Sequence, residues 1–70
     1  MPKRTEQGTH FWLMTFADDR GHYGASGTTT PEPGATRMDM HNIIRTTLIE
    51  REPGLQGVPV IAFDIQPNKL

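Results

Sequence analysis

Seventy residues allow one domain, and a chain this short buries only about 60% of the surface it exposes when unfolded. The absence of cysteine excludes disulfide staples and thiolate metal sites and fits a reducing cytoplasm. Seven basic against eight acidic residues give a net charge of −1, without the basic excess of a dedicated duplex-binding domain.

Residues 1–8 combine charge, proline and glycine with no apolar anchor and read as a flexible N-terminal tail rather than a signal peptide. A first strand over residues 9–17 follows. It is apolar on both faces, with Trp12, Met14 and Phe16 on one and Phe11, Leu13 and Ala17 on the other. Asp18-Asp19-Arg20-Gly21 is a turn signal. The second strand, over residues 22–30, carries Ala25, Ser26, Gly27 and three threonines, a content suited to a sheet edge.

Pro31 and Pro33 make a loop of residues 30–34. Thr36 and Asp39 then form a capping box that opens a helix running to about Glu52, where Pro53-Gly54 stops it. Met40, Ile43, Ile44, Thr47 and Leu48 form its apolar stripe. A third strand spans Val58 to Ile65, and residues 67–70 form a short C-terminal tail. The domain therefore occupies residues 9–66.

The expected fold is α+β, a two-layer β-β-α-β arrangement. Its three-stranded antiparallel sheet has the order 2-1-3, with the helix on one face. The doubly apolar first strand belongs at the centre. Phe11 and Leu13 are expected to face the helix, although the opposite parity stays open because the apolar supply favours neither side. The other sheet face is then an interaction face built from Trp12, Met14, Phe16, Tyr23, Val60 and Ala62.

Two segments, Gly27–Asp39 (Gly27-Thr28-Thr29-Thr30-Pro31-Glu32-Pro33-Gly34-Ala35-Thr36-Arg37-Met38-Asp39) and Ile61–Asn68 (Ile61-Ala62-Phe63-Asp64-Ile65-Gln66-Pro67-Asn68), resemble a family of small single-domain actinobacterial proteins associated with mobile elements. The resemblance covers most of residues 10–70 and supports the β-β-α-β order. It implies no activity, although with the small size it suggests an accessory or regulatory role on a phage or plasmid.

The chemistry-bearing residues also admit plainer roles. His10, His22, His41, Asp18, Asp19 and Asp39 are the candidate metal ligands, with His10 and His22 as possible neighbours across the hairpin, but no known ligand spacing appears. Turn-forming and capping roles account for the carboxylates. No nucleophile elbow, triad or phosphate loop is present, and the glycines of residues 21–27 lack the lysine and helix of a P-loop. No catalytic residue, cofactor or metal is therefore expected.

Exposed Trp12, Phe16 and Tyr23 could stack unpaired bases while Lys3, Arg4, Arg20, Arg37, Arg45 and Arg51 meet phosphates, but the balanced charge disfavours this alternative. The expected role is a soluble, cytoplasmic, non-enzymatic module that binds itself or another protein. Association could stack two sheets face to face or add a strand to the threonine-rich edge. Alternatively, the chain's own tails could cover the second face and leave a monomer. With no run of about 18 apolar residues, a membrane is not an expected partner.

Overall fold

The computed structural model describes residues 7–70. The elements follow in the order β1 (His10–Asp18), β2 (Gly21–Thr29), α1 (Arg37–Arg51), a single 3₁₀ turn (Pro53–Leu55) and β3 (Val60–Pro67). The strands form one open antiparallel sheet in the order β2-β1-β3. This is the α+β, β-β-α-β architecture expected from the pattern. The doubly apolar β1 is central, and the threonine-rich β2 is an edge.

Asp18 closes the hairpin turn. Its Oδ1 accepts the Arg20 backbone N–H at 2.9 Å, and its Oδ2 accepts Arg20 Nε and Nη2 at 3.2 and 2.9 Å. Gly21 then takes φ +136°, a conformation that strains any side chain. The helix opens as a reciprocal capping box. Thr36 Oγ1 accepts the Asp39 N–H at 3.1 Å, and Asp39 Oδ2 accepts the Thr36 N–H at 3.0 Å.

Met40, Ile44 and Leu48 are the buried residues of α1, an i, i+4, i+8 row. The expected five-residue stripe is thus narrower. Ile43 is 56% exposed and Thr47 is exposed, its Oγ1 turned back onto the Ile43 carbonyl at 2.9 Å. These two lean toward β2, where the helix-side residues Ala25 and Gly27 are small.

Beyond Glu52, the 3₁₀ turn carries Leu55 into the core, and Val58 follows it. Both are buried with Phe16, Met14, Ile44 and Leu48. Val58 thus anchors the loop before β3, which begins two residues later than expected and runs on to Pro67.

The side of β1 that meets the helix corrects the expectation. Met14 and Phe16 are 0% exposed, and Trp12 packs against the same core. The physical reason lies in the cross-strand pairs, which share a face. Trp12 pairs with Ile65, Met14 with Phe63 and Phe16 with Val60. Phe11 instead pairs with Gln66 and Thr28, and Leu13 with Asp64 and Ser26. Turning Phe11 and Leu13 toward the helix would carry those polar groups under it, at a cost of roughly 1–3 kcal/mol for each group left unsatisfied.

The chain ends meet at one corner. Asn68 donates its backbone N–H to the Thr9 carbonyl at 2.8 Å and its side-chain amide to Gln7 Oε1 and the Gly8 carbonyl at 2.9 and 3.2 Å. Gly8 also donates to Thr28 Oγ1. Gly8 crosses so close to Thr29 that a Cβ on it would lie 2.6 Å from the Thr29 backbone. Of the expected tail at 1–8, residues 1–6 lie outside the described residues.

Candidate interaction surface

The residues expected to form one face divide between three places. Met14 and Phe16 are core, and Trp12 and Val60 pack against it, so these four are withdrawn from the interaction face. Tyr23 pairs with Phe16 and stands on the helix side of β2, 39% exposed. Ala62 pairs with Thr15 and is exposed on the opposite side.

No described helix lies over that opposite side. Its central row is Phe11, Leu13, Thr15 and Ala17, with Phe11 41% and Leu13 38% exposed. A register shift between Thr15 and Phe16 leaves Ile61 without a partner on β1. Ile61 is thereby displaced from the regular alternation and is 64% exposed beside Ala62. The β2 row is Thr28, Ser26, Gly24 and His22, and the β3 row adds Gln66 and Asp64.

Relief on this face is uneven. Phe11 and Leu13 stand up along the centre, whereas Gly24 and Ser26 leave a low strip beside them. Gly24 has no local need to be glycine. Its φ is not positive, and an added Cβ would meet only Thr15 Oγ1, at 3.8 Å. Glycine inside a strand weakens it, and often marks the close approach of another group.

The face is nearly free of charge. None of the three strands contains lysine or arginine. Its carboxylate, Asp64, accepts the Gln66 side-chain amide at 3.1 Å. Among the described residues, the cations lie in the turn, the helix and the C-terminal end: Arg20, Arg37, Arg45, Arg51 and Lys69. The aromatics considered for base stacking are also displaced, since Trp12 and Phe16 lie under the helix.

The histidines are scattered. His10 pairs with Thr29 and His22 with Ala17, at opposite ends of the hairpin, so the expected neighbours are apart. His41 sets its ring edge-on to Phe63 with centroids 5.2 Å apart. Among the described residues no three His, Asp or Glu side chains come together as metal ligands. A cleft of about 620 Å³ lies between the proline loop and the start of α1, but its Asp39 carboxylate is held in the helix cap. No described helix is long and apolar enough to cross a membrane.

Comparison with known proteins finds no matching family model, no matching curated protein and no matching solved structure.

Proposed function

We propose that this chain is a non-enzymatic interaction module that joins a second copy of itself through the open face of its sheet. The observation that carries this reading is the apolar row of Phe11 and Leu13, over which no described helix lies, next to the low strip at Gly24 and Ser26. A two-fold axis through such a face sets the ridge of each copy over the low strip of the other. The near absence of charge keeps the desolvation cost of that contact small. The cysteine-free composition suits a reducing compartment for such a module.

Sedimentation from micromolar to millimolar concentration tests the reading. The protein is expected to run larger than its 7.9 kDa chain mass. Leu13→Glu is expected to remove face-to-face association while keeping the native circular dichroism. Gly24→Val fills the low strip and is expected to weaken association about tenfold, a loss of about 1.4 kcal/mol. A wild-type protein that stays a single chain throughout this range, or association untouched by Leu13→Glu, overturns it.

A further inference from the structure

The sheet has two edges, and they differ. On β3, Pro59 precedes the strand and Pro67 ends it, Asp64 lies within it, and Arg37 Nη1 reaches the Ile65 carbonyl at 3.4 Å. Proline, charge and a covering side chain are the usual protections against edge pairing. Among the described residues, β2 has none of them. Its nine residues contain no proline and no Lys, Arg, Asp or Glu, and among the described residues it forms a ladder with β1 alone. Gly8 and Thr9 approach only its far end, through Thr28 and Thr30, so, among the described residues, positions 21–27 remain open.

The layer above this edge is also unfinished. Ile43, the exposed apolar residue of α1 on the β2 side, and Tyr23, on the helix side of β2, both flank it. We infer that β2 pairs antiparallel with β2 of a second copy, about a two-fold axis at Gly24, to make one continuous six-stranded sheet. That axis sets Tyr23 of each copy beside Ala25 of the other, on the helix side of the joined sheet. The uncharged strand sets no like charges opposite one another.

Size argues for the same occupant. One open face projects about 30 Å along the strands and about 14 Å across them, roughly 420 Å². Side-chain relief raises that figure, yet it stays at the small end beside the roughly 800 Å² per partner of a standard interface. Pairing through β2 doubles the face to about 840 Å². This inference rests on the face-to-face reading only for its final assembly. Edge pairing alone gives two chains, and edge with face gives four.

Native mass spectrometry and hydrogen exchange on the intact chain separate the two contacts. The wild type is expected as four chains. Leu13→Glu is expected as two, with amides within residues 22–27 exchanging at least about tenfold more slowly in concentrated than in dilute solution. Tyr23→Glu, at a 39% exposed site within the paired segment, is expected to weaken pairing in the Leu13→Glu background about tenfold or more without a change in circular dichroism. A Leu13→Glu protein that is a single chain, with these amides exchanging at the same rate at every concentration, overturns the edge contact. Wild-type mass unchanged in Leu13→Glu, with concentration-dependent protection of residues 22–27, overturns the face and keeps the edge.

Discussion

The indole of Trp12 lies against the backbone of its cross-strand partner Gly27. Its Cζ2, Cε2 and Nε1 atoms would stand 3.1, 3.3 and 3.4 Å from a Cβ on residue 27. This absent side chain lets a large ring tuck over the edge of the sheet beneath α1. Gly27→Ala forces the ring or the strand to give by a few tenths of an ångström. The expected cost is about 1 kcal/mol, and Gly27→Val is expected to cost about 2–3 kcal/mol. For a domain of this size the alanine variant should melt about 4–8 °C lower.

Two adjacent residues of β1 should respond in opposite ways to the same charge. Met14→Glu buries a carboxylate where the native side chain is fully enclosed, and the domain is expected to unfold. Met14→Ala should retain the fold at a cost of about 2–5 kcal/mol. Leu13→Glu should keep the fold, because its side chain already meets solvent, and should lower the melting temperature of the dilute protein by no more than about 8 °C, the cost of setting a carboxylate opposite Asp64. Thermal melts at matched low concentration check all three, since association would otherwise shift the midpoint.

Much of this fold was legible in the chain, and the place where it was not has a definite cause. Thr36, Asp39 and Pro53-Gly54 act locally, so the start and stop of α1 could be read from neighbours in sequence. The strand order followed from the hairpin and the right-handed crossover, and composition agreed with it, because β1 is the strand richest in apolar groups on both faces. The parity of β1 depends on partners about fifty residues away. Gln66 and Asp64 stand opposite Phe11 and Leu13, whereas Ile65 and Phe63 stand opposite Trp12 and Met14. Reading β1 alone could not weigh them, and a one-residue change of phase exchanges the two faces. Leu55 was obscured for another reason. It sits among glycines and prolines that mark a loop, and nothing periodic announces that this loop turns inward.

The helix cap should behave as one unit. Thr36→Ala is expected to cost about 0.5–2 kcal/mol, read from chemical denaturation. Asp39→Ala loses the return bond to the Thr36 N–H and a favourable charge in the first turn. Because each residue bonds the other's backbone, the double variant is expected to cost less than the sum of the single ones. Full additivity would mean that the two bonds form independently.

Acid should loosen the hairpin turn through Asp18. Bonds from the Arg20 side chain, then from its backbone N–H, hold the Asp18 carboxyl below the ordinary aspartate value of 3.8, with the Arg20 charge assisting against a small opposing effect of burial. A folded-state value below the unfolded one means that the contribution is complete above about pH 4–5 and disappears as pH falls through the lowered midpoint. Arg20 is largely solvent-exposed, so the effect on global stability is small. Carboxyl resonances followed by NMR should give Asp18 a midpoint below the ordinary aspartate value. Arg20→Ala should raise the Asp18 midpoint toward the ordinary value and remove the acid-dependent change at the turn.

The clamp of Asn68 on residues 7–9 determines how the domain can be carried. Polypeptide joined ahead of Gln7 and beyond Leu70 departs from a single corner, remote from the hairpin tip at 18–21. The unit can therefore be spliced into a surface loop of a host protein, with both junctions side by side and the hairpin tip pointing away from the host.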